Sequence, residues 1–285
     1  MTSRTRDLAG KAASFPGASI GVFLGSGLSG ACDPASADAI LPFEQIPGLS
    51  AAGVDGHDGE IRRSTVSGTP CLFVCGRKHY YEGNPGDITR LIEFIHRLGV
   101  RQLILTSAAG SLNKAVCPGE LVLVDDIIDF QFRPTAAPGH PGPAVPAGAS
   151  VGRSGVGGRL TLDSELRRRL QSAADHAGVA FVRGAAVTCA GPVYETPAEI
   201  DAFQRLGVSL VTMSGAPEVR VANTCGMATA MIALVTNWAA GISDVKLRHD
   251  DVVAAAAPAA PAVAVLIAQL IANKQDDVVP DRRGK

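Results

Sequence analysis

Short apolar runs alternate with helix-like patterns along almost the whole of this chain. SIGVFL at 19–24 and RQLILTSAAGSL at 101–112 are apolar runs that pass into glycine or other small residues, as buried strands do. Between them, the apolar residues of 88–98 recur at helical spacing, and Gly99 follows as a typical helix end. This alternation predicts an α/β domain with a largely parallel or mixed central sheet.

The same two patterns continue to residue 273. Further strands are predicted at 61–66, 71–75, 121–128, 179–189, 209–212 and 229–236, and further helices at 5–14, 162–177, 197–206, 217–225, 249–256 and 261–273. Asp87 and Asp163 are placed to cap the helices that follow them.

Two segments differ from this pattern. Residues 133–159 consist mainly of Pro, Gly, Ala and Ser, which favours a mobile loop or lid. A domain linker is the alternative, but strands and helices of the same kind resume afterwards. Residues 274–285 have the composition of a frayed tail. We therefore predict one domain over residues 1–273.

Composition excludes several classes of function. The chain is 46% hydrophobic and 19% charged, so it can bury a sizeable core. A net charge of −1 gives no broad attraction to nucleic acid or to an anionic membrane. No apolar run looks long enough to span a bilayer, and the N-terminus lacks a signal-peptide core, so a cytoplasmic location is expected. The six Cys and six His form no metal-ligand spacing, so we expect no metal.

GSGLSG at 25–30 directly follows the first predicted strand. Its glycines let backbone N–H groups approach an anion, and Ser26 adds a hydroxyl donor. The spacing also matches the G-x-G-x-x-G of dinucleotide sites, but the residues after it, which include Pro34, would make a poor helix. A plain strand–loop turn is the third interpretation.

GRKHYYEG at 76–83 is a polar and aromatic loop between buried segments. Arg77 and His79 alternate on an extended segment, so both side chains can point the same way. The guanidinium fork matches phosphate oxygens, and the imidazole can donate another bond. TSAAG at 106–110 places small residues at a strand end, where backbone N–H groups can again reach an anion. Tight sheet packing is the alternative for TSAAG.

The stretch from 190 to 237 can bind a planar base. Glu195 only accepts hydrogen bonds, which suits the N1–H and exocyclic amine of a 6-oxopurine, although a helix-terminal acid is the simpler role. Tyr194 can stack on a base or pack in the core, and Met213 can cover a ring face. Ser214 can donate to phosphate. The Asn237 amide can satisfy N7 and O6 of a purine, or serve as an ordinary turn residue.

Taken in order, six motifs resemble those of the purine nucleoside phosphorylases of the homotrimeric class. The resemblance covers about residues 21–256, and the motifs are GSGL, GRKHYYEG, TSAAGSLN, AGPVYETPAE, MSGAPEV and LVTN. It implies a single domain whose central mixed sheet is distorted and barrel-like and is flanked by helices. The phosphate-binding residues it implies are Ser26, His57, Arg77, His79, Ala108 and Ser214. The nucleoside-binding residues it implies are Tyr81, Tyr194, Glu195, Met213, Asn237 and His249.

The resemblance also implies an activity. Purine nucleosides of the inosine and guanosine type would be split by phosphate into a base and (deoxy)ribose 1-phosphate, in purine salvage. Asn237, Glu195 and His79 would be the catalytic residues. No cofactor is implied, because inorganic phosphate is a co-substrate, and the expected partners are copies in a homotrimer, not nucleic acid or membrane.

Three other functions remain open from the sequence. The related methylthioadenosine phosphorylases share a turn that SAAGSL faintly resembles, but they prefer a 6-aminopurine. A non-catalytic nucleotide-binding protein is a second alternative, although intact Arg77, His79, Glu195 and Asn237 argue against it. A dinucleotide-dependent dehydrogenase is the third.

Overall fold

The computed structural model of the protein describes residues 15–51, 53, 58–82, 86–131, 160–243 and 249–276. The predicted helix at 5–14, the predicted loop at 133–159, His57 and most of the predicted tail lie outside the described residues.

In the described ranges, nine strands form one sheet. They are β1 Ile20–Leu24, β2 Ala39–Pro42, β3 Glu60–Val66, β4 Thr69–Cys75, β5 Gln102–Ser111, β6 Leu121–Asp129, β7 Phe181–Thr188, β8 Leu210–Thr212 and β9 Ala228–Trp238. The α-helices in these ranges are α1 Gly86–Arg97, α2 Ser164–Ala177, α3 Pro197–Arg205, α4 Ala216–Thr224, α5 His249–Ala256 and α6 Ala260–Asp276.

Half of this sheet closes on itself. The strand order is β2-β3-β4-β1-β5-β8-β7-β6-β9, and β5 also pairs with β9. Strands β5 to β9 therefore form a barrel, from which β1, β4, β3 and β2 extend. β1, β4, β5 and β9 run parallel, whereas β5–β8 and β6–β9 are antiparallel. The predicted mixed, barrel-like sheet flanked by helices is confirmed.

Helix α6 belongs to the core. The run from 254 to 273 has the length and the apolar composition needed to cross a membrane. The expectation that no apolar run is long enough was therefore wrong. However, Val263 and Leu266 are fully buried and belong to the same apolar cluster as Ile20 of β1 and Leu166 of α2. One face of α6 therefore packs as a core helix does, and a single run of this kind is weak evidence for a membrane span.

The two predicted helix caps differ in outcome. Asp163 does cap α2, because its carboxylate accepts from the Leu166 backbone N–H at 2.7 Å. Asp87 instead lies inside α1 and is buried. Its carboxylate accepts from Ser50 Oγ at 2.7 Å and from Arg90 Nη1 at 2.9 Å. A tertiary contact has taken the place of the predicted cap.

Strand β2 was not predicted from the sequence. After GSGLSG the chain forms the short 3₁₀ turns Ser29–Ala31 and Pro34–Ser36 and then enters β2. β2 pairs only with β3, at the edge of the sheet, where Pro42 is tolerated because one side of the strand needs no donor. No α-helix follows the glycines within 25–51, so the dinucleotide-type strand–turn–helix is absent there.

Candidate active site

A cavity lies where the parallel strands β1, β4, β5 and β9 end. Parallel strands bring their carboxyl ends to one edge of a sheet, which is where α/β proteins commonly bind ligands. The space among its lining residues, including the part that is open to solvent, is about 720 Å³. Loops after β1, β4, β7 and β8 supply most of the rest of its lining.

Ten of the twelve predicted site residues line this cavity. They are Ser26, Arg77, His79, Tyr81, Ala108, Tyr194, Glu195, Met213, Ser214 and Asn237. His57 lies outside the described residues. His249 begins helix α5, but its side chain is not among those described. The structure thus brings the ten residues together, while the individual roles assigned to them stay predictions.

The cation Arg77 lies at the base of the cavity and is only 1% exposed. Its Nη1 is 3.4 Å from Glu218 Oε1, and its Nη2 donates to the backbone oxygen of Thr106. Glu218 also accepts from the backbone N–H of Gly215 at 2.9 Å. One buried carboxylate therefore connects the guanidinium to the turn that carries Ser214, and fixes the two relative to each other.

A second carboxylate orients His79. Glu82 Oε1 accepts from the His79 backbone N–H at 2.7 Å and lies 3.0 Å from Nδ1 of the same residue. Burial alone would raise the pKa of Glu82, but these bonds and one from the Gly53 N–H lower it to about 2. Because an ionised carboxylate only accepts hydrogen bonds, the Nδ1 contact requires His79 to be the donor. The imidazole also stacks on Tyr81, with ring centroids 4.9 Å apart.

Glu195 presents an acceptor shielded from water. Its Oε1 is buried and accepts no hydrogen bond from the described part of the chain. Burial raises the pKa of Glu195, although a bond from its own backbone and one from the Cys189 thiol oppose this. Burial also raises the pKa of Cys189, to about 12, so the thiol remains a donor. A ligand that brings an N–H to Oε1 would relieve the cost of the buried charge.

The amide of Asn237 is held at both ends. Thr236 Oγ1 donates to its Oδ1 at 2.8 Å, and its Nδ2 donates to the backbone oxygen of Trp238 at 3.0 Å. One N–H remains for a ligand. Purine N7 and O6 are both acceptors, so this single N–H can serve only one of them. The amide is therefore expected to bond one of these two atoms and not both. A Cβ at Gly110 would lie 3.1 Å from Nδ2, so the glycine leaves room for the amide.

A glycine also shapes the wall of the cavity that carries Met213 and Tyr81. Gly191 has a φ of +63°, and a Cβ there would lie 2.5 Å from Met213 Sδ and 3.0 Å from Tyr81 Cε1. The backbone conformation and the close approach both require glycine. Because glycine has no side chain, Met213 and Tyr81 can both approach the backbone at the turn that leads to Glu195.

Sequence reasoning missed the residues that hold the predicted ones in place. Glu82 lies three positions after His79, and Thr236 is adjacent to Asn237, so their spacing was a usable signal. Glu218 is 141 positions from Arg77, and no local pattern indicates that pairing. Among the described residues, no group of three or more His, Cys, Asp or Glu could hold a metal ion.

The chain is similar to known proteins over most of its length. The family model described as "Phosphorylase superfamily" matches residues 19–272. Purine nucleoside phosphorylase 1 of Geobacillus stearothermophilus is 36% identical, over 82% of this chain and 83% of that protein. The purine nucleoside phosphorylase of Schistosoma mansoni has been solved with adenosine (TM-score 0.75, 27% identity, 98% of each chain). It has also been solved with inosine (TM-score 0.73, 25% identity, 95% of this chain and 97% of that one). The chain belongs to the phosphorylase superfamily and, within it, to the purine nucleoside phosphorylases.

Proposed function

We propose that this enzyme cleaves inosine- and guanosine-type nucleosides with inorganic phosphate, giving the free 6-oxopurine and (deoxy)ribose 1-phosphate. The observation that carries the proposal is the division of one cavity into two kinds of group. A buried cation, Arg77, lies among hydroxyl and imidazole groups suited to phosphate. The acceptor of Glu195 and the amide of Asn237 suit the edge of a base.

The reaction follows from where charge develops. As the bond between C1′ and N9 breaks, its electron pair moves to the purine and the ribose becomes positive. A phosphate dianion held by Arg77, His79, Ser26 and Ser214 stabilises the ribose and then bonds to C1′. The remaining N–H of Asn237 donates to N7, where the purine gains negative charge. Phosphate is the nucleophile, so the proposal includes no covalent enzyme intermediate and no cofactor.

Base specificity rests on Glu195. A carboxylate pairs with the N1–H of hypoxanthine or guanine, whereas N1 of adenine is an acceptor and would face it unfavourably. The Schistosoma mansoni enzyme has been solved with both adenosine and inosine. A bound adenosine is therefore compatible with this family, and turnover is the quantity that tests discrimination.

The test is a phosphate-dependent assay on the purified full chain. Inosine and guanosine should be converted to base and ribose 1-phosphate at least about 100-fold more efficiently than adenosine, by kcat/KM, because a mismatched buried edge leaves polar groups unpaired. Omission of phosphate should abolish conversion. Comparable turnover of adenosine would remove the specificity claim, and preference for 5′-methylthioadenosine would place the enzyme with the methylthioadenosine phosphorylases.

The proposal extends to a homotrimer in the cytoplasm. Among the exposed large apolar side chains of the described chain, three lie near the cavity loops or helix α3. Phe130 (39%) follows β6, Val193 (80%) lies in the loop before α3, and Leu206 (56%) follows the end of α3. Phe130 packs edge-on against Phe203 of α3. Such residues are typical of subunit contacts. Light scattering during size-exclusion chromatography should give three times the chain mass, and a monomer at micromolar concentration would refute the trimer.

A further inference from the structure

Three hydroxyl groups form a closed triangle in the wall of the cavity. Ser107 Oγ of β5 lies 2.7 Å from Thr212 Oγ1 and 2.8 Å from Ser214 Oγ, and the last two oxygens are 3.4 Å apart. All three residues are buried. The backbone oxygen of Ala108 is 3.0 Å from Ser107 Oγ and 3.1 Å from Thr212 Oγ1.

Counting protons shows what this triangle can do. Each hydroxyl has one proton to donate, and Ala108 O is an acceptor that can take one of the three. When Ser214 donates into the cavity, its own oxygen can accept the proton of Ser107, and the Ser107 oxygen can accept the proton of Thr212 across their 2.7 Å contact. Both short contacts of the triangle then hold a proton, and the Ser214 proton is left to point toward the ligand.

We propose that Ser107 is a positioning residue, which acts with Thr212 to aim the Ser214 hydroxyl at the phosphate. This inference rests on the proposed phosphate site. It assigns to the Ser107 side chain a task that no sequence motif indicated. An anion accepts hydrogen bonds only, so its arrival selects the arrangement in which Ser107 donates to Ser214. Without Ser107, Thr212 Oγ1 still lies near Ser214 Oγ, but at 3.4 Å it is too far away to hold that hydroxyl firmly.

The first test compares Ser107→Ala with Ser111→Ala. Ser111 is a matched control, because it is a buried serine on the same strand whose hydroxyl bonds the Asn113 backbone instead. Ser107→Ala should raise the KM for phosphate about tenfold, the value of one hydrogen bond to an ion, and change the KM for inosine less than about twofold. Ser111→Ala should leave both constants within about twofold. Loss of thermal stability with an unchanged phosphate KM would overturn the proposal.

A double-mutant cycle shows whether Ser107 acts through Ser214. In a Ser214→Ala background, Ser107→Ala should add less than about twofold to the phosphate KM, since the group it orients is gone. Additive effects would refute the positioning role. The same double-mutant cycle can be measured without turnover, by calorimetric titration of the four proteins with inorganic phosphate alone. If the wild-type enzyme fails to cleave inosine, the proposed function fails, whereas this titration still decides the role of Ser107.

Discussion

Alanine in place of Glu195 should lower kcat/KM for inosine by about 10²- to 10³-fold, equivalent to about 3–4 kcal/mol of transition-state stabilisation. The buried Oε1 of Glu195 accepts no bond from the described part of the chain, so its partner has to come from the ligand. Removing it leaves the N1–H of the base facing an apolar gap. Steady-state kinetics with saturating phosphate measure the effect.

The same substitution should not destabilise the free enzyme. Burial raises the folded-state pKa of Glu195, so its ionised form is disfavoured by folding at neutral pH. Stability from such a group is present below the unfolded pKa and is lost as pH rises through the folded value. At pH 7 the thermal midpoint of Glu195→Ala should therefore equal or exceed that of the wild type. A lower midpoint with near-normal activity would mean that Glu195 is structural.

Glutamine at this position separates charge from shape. An amide keeps one acceptor but can also donate to N1 of adenine, so Glu195→Gln should narrow the preference for inosine over adenosine. Alanine offers neither contact, so it should lower activity on inosine without the increase in adenosine turnover that the glutamine amide provides. An unchanged inosine-to-adenosine ratio in Glu195→Gln would show that specificity is determined elsewhere in the cavity.

Features that neighbouring residues encode could be predicted from the sequence, whereas features that depend on distant residues could not. The strands β1, β5 and β9 appeared as apolar runs because burial is encoded locally. The barrel was implied by the family resemblance alone and not by the residue patterns, because pairing of β5 with both β8 and β9 joins segments about 100 residues or more apart and leaves no periodic trace. The edge strand β2 was missed because its four residues, Ala39–Pro42, are too few to show a strand pattern and end in a proline.

The residues of the site fall into the same two groups, those that a local pattern indicates and those that it does not. Residues that contact a ligand are chemically distinctive and sit in short motifs, so Arg77, Glu195 and Asn237 could be found together. The groups that orient them are ordinary residues at long sequence separation. Ser107 and Thr212, 105 positions apart, meet only because antiparallel pairing places β5 beside β8. Local reasoning therefore finds the contact groups and misses the hydrogen bonds that aim them.

Aspartate in place of Asn237 should be the most damaging substitution in the base site. Aspartate has nearly the same shape and can still accept the bond from Thr236 Oγ1, but it loses the donor to Trp238 O and the remaining N–H. Its charge would also oppose the negative charge that the departing purine develops. We expect kcat to fall by about 10³-fold or more, the value of losing a donor at a developing charge together with an added repulsion.

Asn237→Ala supplies the matched control for this prediction. It removes the donor without adding a charge, so its kcat should fall about 10²- to 10³-fold and stay above that of Asn237→Asp. Lowering the pH should partly restore Asn237→Asp, because a protonated carboxyl again has an O–H to donate toward N7, whereas Asn237→Ala should show no such recovery. If alanine is the worse of the two, or if aspartate retains activity within about tenfold of the wild type, then leaving-group stabilisation does not depend on the Asn237 amide. The order of the two variants, and recovery at low pH by Asn237→Asp alone, thus distinguish electrostatic stabilisation of the purine from simple packing against its edge.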